Sequence, residues 1–258
     1  MQWKWMAGAL ALLPLASCAE PARFDYYLLA LSVAPAFCED EPQRKKRFAQ
    51  CRVLSGDGFR AMPLTLHGLW PNRVSRAHPV YCGGEAAGPF CRLPAVRLPA
   101  ETRARLTRAM PATADCLDRY QWAKHGSCSG LREADYFAAS VALTERVNRA
   151  IGGEIARHMG REISLAALRE SLARADPALK DAVTFDCRTP RTPTPAKRRP
   201  MLREVRVYFG ARWPLPAQDT GITTPAVRRA GPISIRRWIR AWRVRRDQGV
   251  LTRTNSAK

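Results

Sequence analysis

The chain has 258 residues, 46% of them hydrophobic, a composition ordinary for a globular protein of one or two domains. No internal repeat runs through it, which argues against a repeat array. A formal net charge of +21 and a pI of about 10.7 favour a polyanionic partner (nucleic acid, anionic lipid or lipopolysaccharide) and by themselves say nothing of catalysis.

Residues 1–19 read as an export signal: Lys4 supplies the positive start, and MAGALALLPLA is an apolar run too short to span a bilayer comfortably. Cleavage after Ala19 is one reading. Leu15-Ala16-Ser17-Cys18 also resembles a lipoprotein signal, in which Cys18 would carry the lipid. FDYYLLALSV, residues 24–33, is apolar nearly throughout, as a central strand buried on both faces would be, and Pro35 stops it. Residues 39–50 read as a charged loop. In LTLHGLWP, residues 64–71, Leu64, Leu66 and Gly68 alternate with Thr65, His67 and Leu69. That alternation predicts a strand with His67 on the face opposite Leu66, ended by Trp70-Pro71.

Residues 72–97 read as loop, with His78 on the surface. A helix is predicted over 99–110, closed by Pro111, and another over 116–125. In the second, Tyr120 and Lys124 are an i, i+4 pair, as are Gln121 and His125, so all four share a face. Tyr136, Phe137, Ser140, Val141, Thr144 and Val147 mark a long amphipathic helix over 131–151, broken by Gly152-Gly153. That stripe reads as core. His158 is read as structural or exposed. Ser164 is a good N-cap for a helix over 165–175, before Pro177. Strands are predicted over 182–187 and 203–209, joined by TPRTPTPAKRRP, whose Lys197, Arg198 and Arg199 read as RNA contacts or as a solvated loop. Residues 210–258 carry eleven Lys and Arg against two Asp. Within them, ISIRRWIRAWRVRR (233–246) would form a basic amphipathic helix suited to anionic membranes or nucleic acid, or else a tail with no selected role.

Two of the four histidines, His67 and His125, are each followed by glycine, and Lys124 precedes the second. Two imidazoles and an ammonium suffice to cleave RNA without a metal. One imidazole takes the 2′-OH proton, the other protonates the departing 5′-oxygen, and the ammonium offsets charge on phosphorus. Either histidine taken alone is more often a turn or packing residue. Together, LHGLWP and Tyr120-Gln121-Trp122-Ala123-Lys124-His125-Gly126-Ser127-Cys128 resemble the two active-site segments of the ribonuclease T2 family, whose second segment runs His-Glu-Trp-x-Lys-His-Gly-Thr-Cys. The resemblance implies that His125 is the general base and His67 the general acid. It also implies that Lys124 stabilises the transition state and that Trp70 lines the site. Tyr120 stands where the family has a phosphate-binding histidine, and Gln121 where it has glutamate. Gln121 can still donate and accept hydrogen bonds but cannot carry charge.

Eight cysteines without CxxC pairs or zinc-like Cys/His spacing read as a disulfide framework, as in an exported protein. The resemblance suggests Cys82 with Cys128; Cys38 with Cys51 and Cys91 with Cys116 are taken as the next pairs, although sequence alone leaves connectivity open. Cys187 lacks its usual family partner, because Tyr208 stands in that position, and is read as a free buried thiol or a site of intermolecular pairing.

The expectation is an exported, periplasmic or extracellular α+β domain over 22–209, a central antiparallel sheet flanked by helices, with a basic tail appended. Its predicted partner is single-stranded RNA, cut without metal or organic cofactor, and a monomer is favoured. The alternatives are a catalytically impaired RNA-binding relative and a membrane-active cationic protein working through its tail.

Overall fold

The structure, a computed structural model, describes residues 23–40, 47–53, 56–74, 77–85, 87–189 and 200–211. The expected export signal, Lys197, Arg198 and Arg199, and the 233–246 helix lie outside the described residues. Among those described, no helix is long and apolar enough to cross a membrane.

In chain order the elements are β1 (Tyr26–Val33), α1 (Ala34–Asp40), α2 (Ala49–Val53), α3 (Gly56–Ala61), β2 (Leu64–Asn72), α4 (Ala100–Ala109), α5 (Leu117–Lys124), α6 (Glu133–Val147), α7 (Gly153–Arg157), α8 (Leu165–Ala175), β3 (Val183–Arg188) and β4 (Met201–Gly210). The four strands form one antiparallel sheet in the order β2-β1-β4-β3, flanked by helices. It is an α+β fold.

One face of the sheet makes the core. Tyr27, Leu29 and Leu31 of β1 meet Val205, Val207 and Phe209 of β4 there, under Phe137, Val141 and Val147 of α6. Leu106 of α4 and Leu168 and Leu172 of α8 close the cluster. Each such side chain contributes roughly 1.5–3 kcal/mol by leaving water. Leu28 and Ala30, on the other face of β1, are buried as well, so the strand is covered on both sides. Polar residues in the α6 stripe are buried because they bond backward: Ser140 Oγ donates to the Tyr136 carbonyl and Thr144 Oγ1 to that of Ser140. Ser164 caps α8 by accepting from the Ala167 amide.

As expected, β1 ends before Pro35, which lies in the first turn of α1, where a missing N–H costs nothing. Several other expectations need correction. The charged stretch expected to be loop carries the end of α1 and the start of α2. Pro111 closes α4 but also opens a 3₁₀ turn, Pro111–Asp115. Gly152 and Gly153 keep helical dihedrals (φ −60° and −61°), so the chain passes through a π-turn at Asn148–Gly152 into α7. That turn places Asn148 against the start of β2, where its side chain accepts from the Leu64 N–H and donates to the Leu64 carbonyl. Cys187 is free, but exposed rather than buried. Tyr208, where the family's cysteine is expected, instead lies within hydrogen-bonding distance of Thr184 Oγ1, at 3.3 Å.

Trp70-Pro71 does not end β2. Both residues stay paired, Trp70 with Leu28 and Pro71 with Tyr27, and the strand runs to Asn72. Proline is tolerated because β2 is an edge strand.

Candidate active site

The site begins with an irregularity in β2. Leu66 pairs with Leu31 and Gly68 with Ala30, so His67 between them has no partner on β1. This is a β-bulge, two residues opposite one. It breaks the simple alternation expected of the strand. Leu64, Leu66 and Leu69 all reach the core, and His67, Gly68 and Trp70 come to the opposite face. In a regular strand His67 and Trp70, three apart, would point to opposite sides. Here their rings meet edge to face with centroids 5.0 Å apart.

Helix α5 supplies the other wall. His67, Trp70, Tyr120, Gln121, Lys124 and His125 together line a cleft of about 330 Å³. Trp70 touches both imidazoles, the second, that of His125, at a centroid distance of 5.3 Å. Two glycines make the approach close enough. A Cβ on Gly68 would lie 2.1 Å from Gln121 Oε1 and 2.3 Å from Trp70 Nε1. A Cβ on Gly126 would lie 2.4 Å from the Trp122 ring and 3.1 Å from Tyr136 Cε1. The glycine after each histidine is therefore a packing requirement.

Hydrogen bonds orient the polar groups. Trp70 Nε1–H donates to Gln121 Oε1 at 2.8 Å. An indole nitrogen only donates, so the amide oxygen must face it and Nε2 must point away. Gln121 is 1% exposed, and its Nε2 has no partner in the protein. Lys124 Nζ donates to the Tyr120 hydroxyl at 2.7 Å, and Tyr120 stacks on Phe90 with centroids 4.2 Å apart. The Cys91–Cys116 disulfide ties Phe90's turn to the residue before α5. Cys82–Cys128 fastens the loop before the cleft to the turn after His125, and the Tyr81 amide donates to the Lys124 carbonyl nearby. Cys38–Cys51 joins α1 to α2.

The electrostatics separate the two histidines. His125 is mostly buried, and its Nδ1 has no partner in the protein. Burial first, then the charges of Lys124, His67 and His78, pull its pKa from 6.5 to about 3. His67 Nδ1 instead lies 2.9 Å from Glu204 Oε1 on β4, and Arg206 Nε donates to Glu204 Oε2 at 2.6 Å. Burial pushes the Glu204 carboxyl up, but the contacts with His67 and Arg206 outweigh it and leave the group below the usual carboxylate range.

Sequence reasoning did not single out Glu204. It lies 137 positions from His67, and its one local signal was a carboxylate alternating with core residues of an apolar strand. The remaining histidines stay away from the cleft lining. His78 accepts from the Arg73 amide on the surface, and His158 closes α7 against Glu154. No group of three or more His, Cys, Asp or Glu among the described residues is placed to hold a metal.

The chain is similar to Ribonuclease I of Escherichia coli (strain K12), 31% identical over 163 residues that cover 55% of this chain and 61% of that protein. It is 38% identical to a probable ribonuclease of Haemophilus influenzae over 129 residues, 47% of this chain and 43% of the relative. The chain thus spans roughly half the length of the curated relatives it matches. Its fold resembles the crystal structure of RNase NT in complex with 5′-AMP, with a TM-score of 0.50 at 14% identity, over 73% of this chain and 87% of the other. The model of the Ribonuclease T2 family matches residues 24–212, well over half of the sequence, and the chain belongs to that family.

Proposed function

We propose that the protein is an endoribonuclease that cuts single-stranded RNA by transphosphorylation. One observation carries this reading: two imidazoles in unlike environments, from separate segments, share one cleft with an ammonium and both pack against one indole.

His125, held neutral by its surroundings, accepts the proton of the ribose 2′-OH. The 2′-oxygen attacks the adjacent phosphorus in line, the P–O2′ bond forms and the P–O5′ bond breaks. Protonated His67 gives its proton to the departing 5′-oxygen. Lys124 and the free Nε2 of Gln121 serve the phosphoryl oxygens as charge accumulates there, with the Tyr120 hydroxyl beside them. The product is a 2′,3′-cyclic phosphate. In a second step the roles reverse: His67 takes a proton from water, His125 returns one to the 2′-oxygen, and a 3′-phosphate remains. Side chains handle every proton, so the steps call for no metal or organic cofactor. DNA lacks the attacking hydroxyl and is spared. Three disulfides suit an oxidising compartment, which supports export to the periplasm or beyond.

The test is cleavage of a short single-stranded RNA, with chelator present, from acid to neutral pH, reading the new ends by mass. Cyclic-phosphate ends are expected, with turnover reduced at least about a hundredfold in His67→Ala and in His125→Ala. Intact RNA from the folded wild-type protein would defeat the proposal. It would favour a binding protein disabled by Tyr120 and Gln121.

A further inference from the structure

We infer that Glu204 is a positioning residue for the general acid: it fixes which nitrogen of His67 faces the leaving oxygen. This rests on the role of His67 proposed above.

The face of the sheet opposite the core carries a chain of contacts. His67 on β2 meets Glu204 on β4, Arg206 Nε holds the second oxygen of Glu204, Arg206 also approaches Asp186 of β3 at 3.6 Å, and Arg188 Nε bonds Asp186 at 3.2 Å. Strands β2 and β4 are not neighbours; β1 lies between them. The β1 residues paired with Gly68, Arg206 and Glu204 are Ala30 and Ser32, two small side chains that leave room for the contact. The bulge at His67 aims the ring across this gap.

The chemistry follows from donor and acceptor counts. An ionised carboxylate only accepts, so His67 Nδ1 must carry a hydrogen and donate it to Oε1. The remaining nitrogen, Nε2, is then the one that passes its proton to the 5′-oxygen as the P–O5′ bond breaks. Without this partner the imidazole could hold its proton on either nitrogen and turn about χ2. Two donors converge on Glu204, the His67 Nδ1–H and the Arg206 Nε–H, so only a group with an acceptor at each end satisfies both. The side chain of Glu204 is 12% exposed, which keeps water from substituting for either oxygen. A carboxylate holding an imidazole in one tautomer is a recurring device in acid–base sites.

The experiment compares two substrates in each protein sample. Cleavage of a dinucleotide expels a poor leaving group that needs the acid. Cleavage of a nucleoside 3′-(4-nitrophenyl phosphate) expels a phenolate that leaves unprotonated. In Glu204→Ala the rate on the dinucleotide is expected to fall about ten- to a hundredfold, and on the nitrophenyl ester less than about threefold. Glu204→Gln offers one acceptor to two donors and should show the same selective loss, smaller in size. His67→Ala should show the selectivity in full, whereas His125→Ala should lose on both substrates. The ratio of the two rates is independent of the folded fraction, so a destabilised variant still reports. Equal losses on both substrates, or no loss, in the Glu204 variants would overturn the inference while leaving the nuclease reading intact. A wild-type protein that cuts neither substrate would overturn both.

Discussion

Gly68→Ala adds one methyl group at the closest approach in the cleft. The new Cβ would sit 2.1 Å from Gln121 Oε1 and 2.3 Å from Trp70 Nε1, where ordinary contact begins at 3.4 Å. Both groups must therefore retreat by more than an ångström, and the bond between them lies in the path. Gln121 has almost no free surface to move into. Overpacking of this kind costs about 1–3 kcal/mol. At about 2–4 °C per kcal/mol for a domain of this size, the melting midpoint should fall by several degrees. The larger effect is on turnover. Displacing a site group by about 1 Å can cost on the order of a hundredfold. The assay is kcat/KM on a dinucleotide, alongside thermal melting of the same sample. The two residues share one space, so the effects should not add. In a Gln121→Ala background, Gly68→Ala should cost much less than it does alone. A Gly68→Ala protein that melts and turns over within twofold of wild type would refute the packing argument.

Two further predictions rest on the same cleft. His125 binds a proton only near pH 3 when folded but near 6.5 when unfolded, so the acid limb of kcat/KM should lie far below 6.5. Between those values the unfolded chain takes up a proton that the folded chain refuses, so stability should fall as pH drops through that window. A melting series showing no such fall, once compared with His125→Asn, would contradict the burial of this ring. Replacing both Cys82 and Cys128 by alanine opens a link across 46 positions and should cost up to about 4 kcal/mol in the chain-entropy account. Because the bond anchors the turn after His125, kcat should fall along with the midpoint; an unchanged melt would show that the link carries no stability.

The elements legible in the sequence are those whose signals are local. The α6 stripe from Tyr136 to Val147 has a clean helical period, and Ser164 with its downstream apolar residues marks the start of α8. The i, i+4 relation of Gln121 and His125 follows from helical spacing, and the structure places both in one cleft. What was not legible depends on partners far away in sequence. The bulge at His67 exists because β1 offers one residue against two, which no reading of β2 alone can reveal. Gly152 and Gly153 look like breakers, yet the π-turn carries Asn148 to the edge of β2 and the helix continues. Pro71 looks like a terminator until β2 is known to lie at the sheet edge. Glu204 becomes visible only when β4 has been laid beside β1.

The extra residue in β2 also turns spacing into a design rule. Along an unbroken strand, side chains that share a face are separated by even numbers of positions. His67 and Trp70 are separated by an odd one, and they share a face only because the ladder skips between Leu66 and Gly68. Copied onto a straight strand of another scaffold, the same four letters would send one ring to the far side of the sheet. Deleting one residue there, Gly68 for instance, would straighten the ladder, keep Leu66 and Leu69 on the core face and leave His67 and Trp70 an even interval apart. Anyone transplanting this word must carry the kink with it, or respell it with an even interval.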